Sequence, residues 1–455
     1  MMKMRKRNVI VLFAIVLVVA LGIGLHYAWS QMQLGTAYKA KILCSSIFVA
    51  HRDPPSILNT DLAAEDLSIL RHINAEVHYE SKQVIADFFG VIKRKAAYRP
   101  GLGCYLTYKQ EGDLSGVEAP VALTASRIML EKYDPRFNAA LDWAFSEPDP
   151  THLRRTRAVV ILYKGRIVAE RYAAGFSKDT LLLGWSMTKG IMNALVGILV
   201  KEGRLSLNGQ LLAPEWQSLD DPRGKITLSQ LLQMSSGLHF DEKYKHSHTD
   251  VSRMLFETPD MGAFAARMPL EAEPGTKWHY SSGTTNIISR IIRKAVGDSD
   301  YVLFPRRALF GPLGMESAVI EPDASGAFVG SSFMYATARD WAKFGQLYLQ
   351  DGVWAGKRIL PKGWVRYTTT PALGSPNKEY GAHFWLKIPK EFRSNKERDT
   401  LPVKALHAVG YEGQFVSIIP SRDLVIVRLG LTRFSSAWQH DRFVSKVLEA
   451  VDGPG

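Results

Sequence analysis

The stretch from Leu183 to Val200 constrains the fold more than any other part of the chain. From Met187 to Val200 it is almost wholly apolar. That run is too short to cross a bilayer, which takes roughly 20 apolar residues. A helix apolar on every side belongs inside a sizeable domain. Two polar groups interrupt its start, Ser186 and Lys189. Residues at this spacing share one helix face. A serine at a buried helix N-terminus sits beside free backbone N–H groups and the positive end of the macrodipole, where an oxyanion is stabilised. A partly desolvated lysine beside it loses its proton near neutral pH and works as a base. On this reading Ser186 is a nucleophile and Lys189 its activator. The plain alternative is an N-cap serine followed by a snorkelling lysine. A second Ser-x-x-Lys, Ser375 to Lys378, lies in a Gly-Ser-Pro-Asn loop where no helix fixes the pair.

The chain opens on Lys3, Arg5, Lys6 and Arg7, then runs uncharged from Val9 to Leu25. A basic flank before a spanning-length apolar run predicts a signal anchor, and Tyr27-Ala-Trp-Ser-Gln is a poor cleavage site. A cleaved signal is the alternative. The positive flank stays in the cytoplasm, so the rest of the chain is expected on the periplasmic or extracytoplasmic side. Of the net charge of +13, residues 1–110 carry +7 (14 Lys and Arg against 7 Asp and Glu). The excess thus gathers near the anchor, where it meets anionic headgroups. No basic run with interleaved aromatics points to nucleic acid. The two cysteines, Cys44 and Cys104, both fall in the exported N-terminal part, which favours a disulfide over two buried thiols.

The pattern predicts a small N-terminal unit over 31–125. It holds a short helix from Asp61 to Ile73 with Asp61 as N-cap, and strands at Val84–Val91, Lys95–Tyr98 and Gly103–Tyr108. Gly112 to Pro120 reads as a linker. The main domain, 126–455, begins with a helix at Asn138–Phe145 and a hairpin of Arg157–Tyr163 and Arg166–Tyr172. A second hairpin, Gln414–Pro420 with Leu424–Leu429, and a closing helix Phe443–Val451 lie near the C-terminus. Strands at both ends with helices between predict one antiparallel sheet, an α/β (α+β) fold. A helical lobe over about 206–350, with helices at Ser229–Met234, Met261–Arg267, Thr284–Val296 and Ala338–Gln350, is inserted between the strands.

A cleft between lobes is where a site belongs. Tyr280 precedes the Thr284 helix, in a loop that can approach Ser186 and Lys189. A lysine ammonium nearby favours its phenolate, which then passes protons between nucleophile and leaving group. The alternative is a loop-packing aromatic. Downstream, His407-Ala-Val-Gly410-Tyr411 leads into a strand whose glycine edge lets substrate lie close to backbone donors. An N–H there, with that of Ser186, makes an oxyanion hole. The alternative is a simple glycine turn.

Ser-x-x-Lys on a buried helix, Tyr-Ser about 90 residues later and a glycine-rich edge strand near the C-terminus resemble the serine β-lactamase/penicillin-binding-protein superfamily. The likeness is to its class C-related esterases and amidases, including 6-aminohexanoate-dimer hydrolases. Leu231-Leu-Gln-Met-Ser-Ser-Gly, Pro274-Gly-Thr-Lys-Trp and Phe304 to Met315 add to it, over roughly 155–452. The resemblance implies a β-lactamase/transpeptidase-like fold and an acyl-enzyme on Ser186. Lys189 and Tyr280 then handle protons, and no cofactor or metal is required.

Two departures stand out. Ser282 occupies the place of an asparagine that reads substrate amides. The third motif aligns best as Ala408-Val-Gly410, which makes the Tyr411 N–H the oxyanion donor and His407 a neighbour. Ser282, His407, Gly410 and, in the loop at the cleft mouth, Tyr244 are candidate substrate contacts. A β-lactamase or D-alanyl carboxypeptidase activity, or a pseudoenzyme binding cell-wall fragments or a protein, are the other readings. His246-Ser-His-Thr-Asp250 matches the start of a zinc-hydrolase motif but follows a polar segment rather than a buried strand.

Overall fold

The computed structural model describes residues 2–108, 133–244, 248–397 and 401–453. The chain begins with one long helix, α1 (Met2–Phe48). Its first part, from Ile10 to Leu25, carries exposed apolar side chains. By length and composition it is the one helix among the described residues apolar enough to cross a membrane. Its second part turns a stripe of Ala37, Ala40, Cys44 and Ile47 into the protein, at the spacing of one helix face.

That stripe covers a four-stranded antiparallel meander: β1 (Asn74–His78), β2 (Gln83–Phe88), β3 (Ile92–Arg99) and β4 (Gly103–Leu106). Cys44 on α1 and Cys104 on β4 form the expected disulfide, 60 residues apart in sequence. Closing a loop of that length stabilises by about 4 kcal/mol in the chain-entropy view. Strand β1 was not expected, since Asn74-Ala-Glu-Val-His shows too little apolar alternation. The helix expected from Asp61 also differs. Asp61 ends a π-turn over Ile57–Asp61, and a 3-10 helix follows at Glu65–His72. The Asp61 carboxylate is not a cap because Arg52 (2.7 and 2.8 Å) and Arg157 (2.7 Å) grip it. The pairing holds its pKa well below the usual carboxylate range, against the effect of burial. The segment 112–120 lies outside the described residues.

After helix α2 (Asn138–Phe145) come β5 (Thr156–Tyr163) and β6 (Arg166–Tyr172). The core helix α3 (Thr188–Lys201) follows, then α4 (Ser282–Val296) and α5 (Ala338–Leu349). Strands β7 (Leu406–Gly410), β8 (Gln414–Ile419) and β9 (Leu424–Gly430) and helix α6 (His440–Asp452) complete the chain. The main sheet has the order β7-β8-β9-β5-β6, antiparallel throughout, so the two ends of the chain meet at β9 and β5. Both faces of this sheet are covered, which is why β5 reads as a continuous apolar run rather than an alternation. Val159, Ile161, Phe415 and Ile426 pack with Leu141 of α2 and Phe443 of α6. Val160, Leu162, Val416 and Val425 face the other way, in the core that holds α3 and α5.

Three short helices, Leu228–Leu232, Asp250–Glu257 and Met261–Ala266, lie with α4 between the two halves of the sheet sequence. Helix α5 was expected among them but lies on the sheet. A Cβ at Gly345 would come within 2.5 Å of Val425 and 2.9 Å of Val416, so this glycine lets the helix settle directly on β8 and β9.

Candidate active site

The chain turns sharply before α3. Trp185 is held at φ 48°, a costly backbone region for a bulky residue. The next residue, Ser186, sits half-buried in a single 3-10 turn, Trp185–Met187, that feeds α3. Trp185 is fixed by its indole N–H, which donates to Glu412 at 2.9 Å, and by an edge-on ring contact with Tyr411. The strained turn is thereby pinned to the end of β7. A Cβ at Gly410 would lie 2.2 Å from the Gly184 carbonyl, so only glycine lets β7 come this close to the serine turn.

Lys189, the second residue of α3, is 1% exposed. Its ammonium donates to Ser186 Oγ at 3.0 Å, Ser282 Oγ at 3.1 Å and the Ser331 carbonyl at 3.0 Å. Burial pulls its pKa down to about 8, partly opposed by the nearby Glu242 carboxylate. The lysine is therefore poised to release its proton just above neutrality. Lys189 Nζ also lies 4.9 Å from the centre of the Tyr280 ring. The Ser186 hydroxyl is a hydrogen-bond partner of the Tyr280 phenol, and burial and Glu242 push that phenol's pKa up. The sequence pointed to a phenolate favoured by the lysine. The structure differs, because desolvation and an anion both oppose the phenolate here. The Tyr280 ring stacks on Trp385 at 5.7 Å and meets Tyr380 edge-on at 5.8 Å.

The structure thus brings together Ser186, Lys189, Tyr280 and Ser282, with Gly410 and Tyr411 against the serine turn. Tyr244 reaches the same place: its ring stacks on Tyr411 at 5.0 Å and its hydroxyl donates to Glu242 at 3.0 Å. His407 does not join them. Its neighbours Leu406 and Ala408 face the α3 side of the sheet, whereas its own ring is fully buried with Nδ1 at 2.8 Å from Ser417 Oγ. Ser417 in turn meets His440 at 2.7 Å. Burial pushes the His407 pKa down to about 3, so it is neutral. The alternation of strand residues between faces accounts for this placement.

Two side chains escaped the sequence reading. Glu242 lies in an Asp-Glu-Lys-Tyr-Lys segment that reads as solvated loop, yet its carboxylate takes hydrogen bonds from Ser282 N (2.8 Å) and Ser282 Oγ (2.6 Å). His383 is buried with Nδ1 at 2.9 Å from the Lys189 carbonyl and Nε2 at 3.2 Å from Thr285 Oγ1. Burial and the Lys189 charge pull its pKa down to about 3. Its Nδ1–H then donates to the first turn of α3, and no spacing rule signals such a partner.

Of the zinc-like motif, His246 lies outside the described residues. His248 packs on Tyr27 of α1 at 5.5 Å, and the Asp250 carboxylate accepts from the Asp241 N–H at 2.8 Å.

A turn carrying Ser186, a buried lysine and a tyrosine thus meet where the antiparallel sheet adjoins the helices. The chain belongs to the Beta-lactamase family, whose pattern matches residues 145–441. A 6-aminohexanoate-dimer hydrolase of Paenarthrobacter ureafaciens is 25% identical over 289 residues, 60% of this chain and 72% of that one. Two solved structures share the fold. A family VIII carboxylesterase superposes with a TM-score of 0.54 at 16% identity, over 70% of this chain and 99% of that one. A penicillin-binding protein homologue from Caulobacter crescentus gives 0.52 at 17% identity, over 70% and 99%.

Proposed function

We propose that the chain is a serine hydrolase that cleaves an ester or a linear amide through an acyl-enzyme on Ser186. The observation that carries the reading is the 3.0 Å bond between a buried lysine amine and the Ser186 hydroxyl. Neutral Lys189 takes the Ser186 proton as Oγ bonds to the substrate carbonyl carbon. The resulting oxyanion rests on the N–H groups of Ser186 and Tyr411. Tyr280, held as a phenol beside Ser186, gives its proton to the leaving alcohol or amine as the bond from the carbonyl carbon to that oxygen or nitrogen breaks and the carbonyl re-forms, and it regains a proton from the Lys189 ammonium. Water then attacks the acyl carbonyl carbon and gives a proton to the same pair, which passes one to Ser186 Oγ as the acyl–Oγ bond breaks and the acid leaves. Ser282 and Tyr244 border the substrate side of this path.

In the same reading, residues 1–30 form a membrane anchor and 31–125 a small unit. Residues 126–455 form the hydrolase domain on the extracytoplasmic side. The basic flank at Lys3, Arg5, Lys6 and Arg7 and the exposed apolar face from Ile10 to Leu25 support the anchor. The boundary near 125 lies outside the described residues.

The substrate class follows from what the third motif lacks. Holding the carboxylate of a β-lactam calls for a cationic or hydroxyl group there. Ala408 has no such group, Val409 packs on the far face of the sheet, and His407 is neutral and turned to Ser417. Purified enzyme is expected to turn over p-nitrophenyl butyrate or a short linear amide with at least ~10-fold higher kcat/KM than nitrocefin, because losing one good polar contact is worth about that factor or more. A preparation that prefers nitrocefin by tenfold would overturn this substrate reading.

A further inference from the structure

Protonated Lys189 has three N–H bonds and the site offers three acceptors: Ser186 Oγ, Ser282 Oγ and the Ser331 carbonyl. Once neutral, the amine keeps two hydrogens and one lone pair. Activation of Ser186 requires the lone pair to face Ser186 and the two hydrogens to face the other partners. The Ser331 carbonyl can only accept. Ser282 is the ambiguous partner, because a hydroxyl both donates and accepts. If Ser282 gave its hydrogen to Lys189, the lone pair would be spent on Ser282.

Glu242 removes the ambiguity. Three donors converge on its carboxylate: Ser282 Oγ at 2.6 Å, Ser282 N at 2.8 Å and the Tyr244 hydroxyl at 3.0 Å. A carboxylate satisfies all three, and hydrogen bonds to an anion are the stronger kind. We propose that Glu242 is a positioning residue: by holding the Ser282 hydroxyl hydrogen it leaves Ser282 able only to accept from Lys189, and so aims the neutral amine at Ser186. The inference rests on the acyl-enzyme reading above.

The same anion acts on Lys189 by charge, opposing the effect of burial. The two tyrosines and the histidine beside this pair stay neutral. Tyr244 and Tyr280 are pushed up by burial and by the Glu242 charge, with Glu391 acting in the same direction at Tyr280, and His383 is pulled down to about 3. Direction and charge can therefore be separated by two substitutions. Glu242→Gln removes the charge and disturbs the direction, because whichever way its amide turns, the NH2 faces either the Ser282 N–H or the Ser282 and Tyr244 hydroxyls. Ser282→Ala removes the directing hydroxyl and keeps the anion.

The measurement is the pH profile of kcat/KM for p-nitrophenyl butyrate, with the rate of fluorophosphonate labelling at the plateau. Glu242→Gln is expected to lower the plateau about 10²-fold. It should also move the acid limb down by about one pH unit, since a nearby opposite charge is worth that much or more. Ser282→Ala is expected to lower the plateau with the limb in place. Glu242→Asp, which keeps the charge, should leave the limb in place and recover part of the plateau. A purely structural Glu242 would change thermal stability or KM and leave the limb unmoved. Folded Glu242→Gln with wild-type plateau and limb overturns the proposal, as does a full plateau in Ser282→Ala. Continued labelling of Ser186→Ala would instead overturn the acyl-enzyme reading itself, so the two failures are distinguishable.

Discussion

Lys189→Ala is expected to lower kcat/KM for a p-nitrophenyl ester by about 10³-fold or more, the scale seen when one member of a catalytic unit is removed. The lysine is 1% exposed and spends each of its hydrogens on a partner of fixed position. Alanine removes the base and leaves the Ser331 carbonyl without that donor. Lys189→Arg should not rescue the rate, because a guanidinium does not give up its proton. Tyr280→Phe is expected to cost about 10²-fold, the range for one general acid. The double variant should fall little below Lys189→Ala, since both serve one proton path. Near-normal turnover by folded Lys189→Ala would contradict the assignment.

The largest effect on stability is expected at Glu321. Glu321 is fully buried and joins α1 and β4 to the rest of the chain. It pairs with Lys41, and accepts from Ser45 Oγ at 2.8 Å and from the Cys104 N–H at 2.7 Å. Glu321→Ala leaves the Lys41 ammonium buried and unpaired, which typically costs about 3–5 kcal/mol. The apparent Tm should fall by roughly 5 °C, since the shift is about 2–4 °C per kcal/mol at about 150–250 residues and smaller for a larger unit such as this one. The double variant Lys41→Met, Glu321→Leu should recover much of the loss, because apolar groups of similar volume often replace a buried pair without penalty. The exposed pair of Lys178 and Asp179, at 2.6 Å, is the control, and its removal should be nearly silent. A small Tm change in Glu321→Ala, comparable to that control, would contradict this account of how the N-terminal part is held.

Much of this architecture is readable from local pattern. Helix α3 announces itself by being apolar on every side, and the hairpins β5–β6 and β8–β9 by β-rich runs around turns. The closing helix α6 follows from its periodicity. Ser186, Lys189 and Tyr280 were legible because motif order in one chain adds information that no single spacing has. What was hidden depended on tertiary partners. Asp61 has the look of an N-cap until two arginines from elsewhere claim it. Glu242 has the look of a solvated loop residue until Ser282 folds onto it. His407 reads as a cleft residue until strand alternation turns it to the far face. Helix α1 showed its apolar start but not its continuation to Phe48, because the mixed sequence after Tyr27 is helical chiefly through packing on β2, β3 and β4.

Labelling with a fluorophosphonate probe, read by intact mass and peptide mapping, tests the central claim most directly. A single adduct on Ser186 is expected, forming faster as pH rises through about 8, where Lys189 loses its proton. Ser186→Ala, with its fold intact, should take up no adduct. A wild-type protein that stays unlabelled, or a Ser186→Ala variant labelled at the wild-type rate, would contradict Ser186 as the nucleophile.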